Sequence, residues 1–120
     1  MTDSKELARE IVKVLDEKKA EDIVAIETSE VTIVSDVFII ANGISNTHTR
    51  SLADEVEYEI KQRLGIEPEH TEGRATGWIL LDYGGVLLHV FDKESREYYN
   101  LERLWTDAEK LDLSDIITEN

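Results

Sequence analysis

One stretch of the chain constrains its folding more than any other. Trp78-Ile79-Leu80-Leu81-Asp82-Tyr83 and Val86-Leu87-Leu88-His89-Val90-Phe91 are two β-forming runs separated only by Gly84-Gly85. Glycine reaches positive φ without steric cost, so a Gly-Gly pair between two such runs predicts a two-residue hairpin turn. That turn sets the register: Tyr83 faces Val86, Leu81 faces Leu88, and Ile79 faces Val90. These six side chains share one face, all apolar or aromatic, which is assigned to the core. The other face carries Trp78, Leu80, Asp82, Leu87, His89 and Phe91. It is too apolar for solvent and too polar for an ordinary core. Either a helix of the same chain or another molecule covers it.

The rest of the chain supplies layers to pack against this hairpin. Residues 4–19 predict an amphipathic helix, with Leu7, Ile11, Val14 and Leu15 in one stripe extended by the stem of Lys18. Thr2, Asp3 or Ser4 can cap its start. Residues 22–28 and 31–41 read as strands joined by a short connection, which predicts an antiparallel hairpin. A helix over 48–64 repeats Leu52, Val56, Ile60 and Leu64, with Ser45 or Asn46 as its cap and Gly65 as a left-handed terminus. Residues 66–74 read as an irregular connection, and 94–109 as one or two short helices. The order α-β-β-α-β-β-α predicts an α/β (α+β) fold, a mixed sheet flanked by helices. Residues 1–110 are expected to form a single domain, and 111–120 an acidic tail that is partly ordered at best.

Charge and composition remove whole classes of function. Thirteen basic residues against 27 acidic ones give a net charge of −14. Such a chain is ill suited to neutralising phosphates or docking on an anionic membrane. It has no cysteine, which excludes disulfides, thiol catalysis and cysteine-based zinc sites. His70-Thr71-Glu72 with His89 has the composition of a two-histidine, one-carboxylate iron site, but without a barrel to hold it. Gly43-Ile44-Ser45 between a strand and a helix is similar to the Gly-Ser signature of nucleotidyltransferases. Those enzymes need paired carboxylates for Mg²⁺, and the next strand offers Asp82 with Leu80 and Gly84 as its i±2 neighbours. Asp82 and His89 lie diagonally on one hairpin face, where they can act as a polar pair inside an interface. No catalytic residue, metal or cofactor is assigned. What remains is a surface rich in large flat side chains: Trp78, Phe91, Tyr99 and Trp105.

The residues also match a known family. Asp22-Ile-Val-Ala-Ile, Ser35-Asp36-Val-Phe-Ile-Ile-Ala-Asn-Gly43 and Ser51-Leu-Ala-Asp-Glu-Val56 resemble the first half of the ribosomal silencing factors, the Iojap-like proteins. Gly77-Trp78-Ile-Leu-Leu-Asp82-Tyr-Gly84, Val86-Leu-Leu-His89-Val-Phe, Glu94-Ser-Arg96-Glu-Tyr-Tyr99 and Leu101-Glu-Arg-Leu-Trp105 resemble the second. The resemblance implies a mixed sheet distantly like the nucleotidyltransferases, without their catalytic carboxylates. It implies a non-enzymatic repressor that binds the large ribosomal subunit through its fourteenth protein on the intersubunit face. There it would block subunit joining and damp translation when nutrients are short. The cysteine-free composition fits a reducing cytoplasm. Family members are often homodimers. Two positions depart from the family pattern: Thr47 stands where many members carry Arg, with Arg50 nearby, and Gly84-Gly85 replaces a common Gly-Asp turn. A basic ribosomal protein would be attracted by the −14 charge. Trp78, Leu80, Asp82, His89, Tyr99 and Trp105 are therefore the expected contact residues. Two alternatives use the same features differently: a nucleotidyltransferase-like enzyme built on Ser45 and Asp82, and a dimerisation module that pairs the Trp78 face with its own copy.

Overall fold

The Gly84-Gly85 turn does set the register. In a computed structural model describing residues 3–28, 36–73, 77–101, 103 and 109–117, β4 (Trp78–Asp82) and β5 (Val86–Asp92) pair antiparallel. Ile79 lies opposite Val90 and Leu81 opposite Leu88, as expected. The Tyr83 amide closes the turn by donating to the Val86 carbonyl at 2.9 Å. Only Gly84 takes positive φ (+86°), which is the requirement of a turn with glycine at its first central position.

Around this hairpin runs a five-stranded sheet with the order β1-β2-β5-β4-β3. β1 (Glu21–Glu27) and β2 (Val37–Gly43) form the expected antiparallel pair. β2 starts later than the sequence pattern suggests, and residues 31–35 lie outside the described set. β2 and β5 run parallel, so the sheet is mixed. β3 (His70–Glu72), which the sequence reading treated as irregular, pairs antiparallel with β4. It is three residues long and mostly exposed, so no apolar alternation announces it.

Helices α1 (Ser4–Glu17) and α2 (Asn46–Leu64) cover one face of the sheet. Asp3 caps α1, and Ser45 caps α2 by accepting from the His48 amide at 3.0 Å. Gly65 ends α2 in the left-handed conformation, where absence of Cβ removes the strain. Between the layers lie Leu7, Ile11, Leu15, Leu52, Val56 and Ile60 from the helices. Ile79, Leu81, Tyr83, Val86, Leu88 and Val90 meet them from the hairpin, so the assigned core face is the observed one. Gly43 is pinned by this packing. A Cβ there would fall 2.7 Å from the Thr49 amide nitrogen, inside the first turn of α2.

The C-terminal segment differs from expectation. Leu113 is buried in the main core, and Leu111, Ile116 and Ile117 pack against it. The segment also lines the outer edge of β1: the Glu27 amide donates to the Glu109 carbonyl, and the Leu111 amide to the Ala25 carbonyl, both at 2.8 Å. Its acidic composition hid an apolar stripe short enough to look incidental. Among the described residues, no helix is long and apolar enough to cross a membrane.

Candidate partner-binding face

The second face of the sheet is served by α3 (Lys93–Tyr99), much shorter than the predicted 94–109. Asn100 ends it in a left-handed conformation, with its amide donating to the Arg96 carbonyl. Asn tolerates that region better than most residues, so the stop is local. Two devices fix where α3 lies. Asp92 leaves β5 and caps the helix, its Oδ1 accepting from the Ser95 amide at 2.7 Å. Gly77 lets β4 pass beneath this cap, since a Cβ there would meet Asp92 Oδ2 at 2.2 Å. At the next turn, Arg96 Nη1 donates to Asn42 Oδ1 at 2.9 Å and to the Asp22 carbonyl. Asp22 sits at positive φ within an irregular step of the β1–β2 ladder. That bulge re-aims the backbone, as bulges do.

So held, α3 lays Tyr99 over the hairpin. The Tyr99 ring lies 4.6 Å from Trp78 and 6.2 Å from Phe91, centroid to centroid. Phe91, Ile40 and Ile26 are sealed from solvent beneath this layer, with Leu101, Val24, Phe38 and Trp78 at its margin. The hairpin pattern leaves open whether a helix of the same chain or another molecule covers this face, and the resemblance favours another molecule. Its own chain covers the Phe91 end. Trp78, Leu80, Asp82, Leu87 and Phe38 stay half-buried, and Tyr99 is 48% exposed.

His89 is where sequence and structure part most sharply. The hairpin pattern makes it a polar partner for Asp82 inside an interface; it is only 5% exposed. It faces Leu80 across the ladder, so Asp82 and Trp78 are its two diagonal neighbours. The structure selects Trp78, whose Nε1 donates to His89 Nδ1 at 3.0 Å. Asp82 instead accepts the Gly84 amide at 2.8 Å and holds the turn. Accepting at Nδ1 requires the neutral ring to carry its proton on Nε2. That Nε2–H is buried, with no hydrogen-bond partner among the described residues. Burial pushes the imidazole down from 6.5 to about 4, so it is uncharged at neutral pH.

Of the six expected contact residues, Trp78, Leu80, Asp82 and Tyr99 come together at one surface, His89 lies just beneath it, and Trp105 lies outside the described residues. Sequence reasoning did not assign Phe38, because it falls in a run read as buried on both sides. The parallel register of β2 on β5 sets it beside Leu87 and 4.9 Å from the His89 ring. It also missed His70 and Glu72, which β3 brings to the far side of Asp82 and Leu80.

The structure does not bring together Ser45 and Asp82, the two residues of the nucleotidyltransferase-like alternative. Ser45 follows the end of β2 beside Asp92, while Asp82 pairs with Leu87 at the other end of β5. Five residues of strand separate the two positions, about 17 Å. Ser45 Oγ is engaged as a helix cap. Among the described residues, no group of three His, Cys, Asp or Glu side chains is placed to hold a metal ion.

Comparison with known proteins agrees with the resemblance. A sequence model of the family described as "Ribosomal silencing factor during starvation" matches residues 1–120. The ribosomal silencing factor of Halalkalibacterium halodurans is 38% identical over 116 residues, covering 96% of this chain and 98% of that protein. That of Bacillus subtilis is 40% identical over 99 residues, covering 82% and 83%. A crystal structure of a Chromobacterium violaceum protein superposes with a TM-score of 0.83 at 31% identity, covering 88% of each chain. The chain belongs to the ribosomal silencing factor family.

Proposed function

We propose that this protein is a non-catalytic repressor of translation that docks on the large ribosomal subunit. It binds the fourteenth protein of that subunit on the intersubunit face, and its bulk there prevents the small subunit from joining. It acts in the cytoplasm and uses no cofactor. When free, it can pair with a second copy, and residues 1–110 carry the activity. The observation that carries this reading is the half-exposed Trp78, with Tyr99 packed against it at a tilt and Leu80, Leu87 and Phe38 alongside. Flat aromatic side chains with one covered and one open face make good interface anchors. Asp82 and the exposed Glu72 border the apolar patch, and the whole chain carries −14. This suits a basic protein surface and disfavours bare RNA.

Sucrose-gradient sedimentation with separated subunits tests the proposal. The protein should travel with large subunits and not with small ones, and adding it should reduce the yield of joined ribosomes. Sedimentation with neither subunit would overturn it.

A further inference from the structure

The buried Nε2–H of His89 has a consequence for how the docking face chooses its partner. A polar hydrogen left unpaired in an apolar setting is costly, and folds rarely keep one without a use for it. Here the arrangement is enforced: the Trp78 indole N–H occupies Nδ1, so the ring cannot turn over without losing that bond. The imidazole lies between Phe38, 4.9 Å away ring to ring, and Leu80, its direct neighbour across the β4–β5 ladder. Both are half-buried side chains on the open part of the face. A partner reaches the imidazole only if neighbouring side chains shift, and rotamer changes at interfaces are common when proteins bind.

Resting on the docking reading above, we propose that His89 Nε2–H is the specificity-determining donor of this face, and that it receives a main-chain carbonyl of a basic partner protein. The acceptor class follows from charge. A carboxylate or phosphate would meet a molecule of charge −14 with Asp82 and Glu72 at the rim. Lysine and arginine side chains carry no acceptor. A neutral carbonyl flanked by basic side chains satisfies both the donor and the rim. An apolar surface of the same shape would leave Nε2–H unpaired in the complex as well, and so bind less well. Trp78 thus has two roles: its ring offers contact area, and its N–H sets the tautomer that makes His89 a donor.

Two substitutions separate these roles. Asn in place of His89 puts an acceptor near the Nδ1 position for Trp78 but is too short to reach the Nε2 position. Gln can reach it with an N–H. Binding of labelled protein to purified large subunits should weaken at least about tenfold for His89→Asn. It should stay within about threefold of wild type for His89→Gln, with both variants retaining the native tryptophan emission. Equal binding by wild type and folded His89→Asn would overturn the inference while leaving the docking reading intact. Failure of the wild-type protein to bind large subunits would overturn both. If His89→Asn does not fold, the wild-type protein decides. With ¹⁵N-histidine labelling, addition of the isolated fourteenth protein should shift the His89 Nε2 resonance and slow exchange of its proton. An unchanged resonance in a formed complex would refute the role.

Discussion

Lowering the pH from 7 to 5 is expected to weaken this fold through a single side chain. His89 is nearly inaccessible, and burial takes its pKa from 6.5 down to about 4. In the unfolded chain the ring takes up its proton near pH 6.5; in the native protein it resists until about pH 4. The unfolded state therefore binds more protons between these values, and stability falls as pH falls through that window. The stabilisation is fully present above about pH 6.5 and is lost progressively down to about pH 4. Between pH 7 and pH 5 the linkage relation gives a loss of about 2 kcal/mol from this residue alone. Urea unfolding followed by tryptophan fluorescence at both pH values measures it. His89→Gln serves as the control that does not titrate, since the 27 acidic residues and the other two histidines contribute equally to both proteins. Wild type should lose about 2 kcal/mol more than His89→Gln over the interval. Identical pH dependence in the two proteins would refute the burial argument, and with it the assignment of a neutral, Trp78-bound imidazole.

Other perturbations test the elements that build the face. Arg96→Ala removes the bond to Asn42, which is buried, and should cost about 1–2 kcal/mol of stability. Because Arg96 holds α3, the variant should also expose Trp78 to solvent, seen as a red-shifted emission with greater access to a neutral quencher. Leu113→Ala should cost about 2–3 kcal/mol in urea or thermal unfolding, since it empties a buried position in the main core. A loss below about 0.5 kcal/mol would show that the C-terminal segment contributes little to the fold.

What the sequence declared about this fold is what short-range chemistry determines. Gly84-Gly85 set a hairpin register that placed six side chains on the core face, and Ser45 and Gly65 marked both ends of α2. Features that depend on distant partners were silent. β3 is three residues of His-Thr-Glu whose strand character comes only from pairing with β4. Leu113 is apolar in an acidic segment, and its burial is decided by the edge of β1. The site shows the same division. Alternation put Trp78, Leu80, Asp82 and His89 on one face, and they are on it. The pattern could not say which diagonal neighbour His89 would bond, because Asp82 and Trp78 stand symmetrically two residues either side of Leu80. Nor could it say that Arg96, reaching a bulge at Asp22, would draw α3 over Phe91. That cover leaves a smaller open surface than the hairpin pattern alone implied.

The most direct check on the docking face is the affinity of the Trp78→Ala variant for purified large subunits, compared with wild type in the same buffer and salt. An anchor at the centre of an interface should cost about 2 kcal/mol or more on truncation, a loss of about thirtyfold or more in affinity. Unfolding midpoints measured alongside would show that the variant remains folded. A folded Trp78→Ala protein that binds large subunits as tightly as wild type would place the contact elsewhere on the molecule.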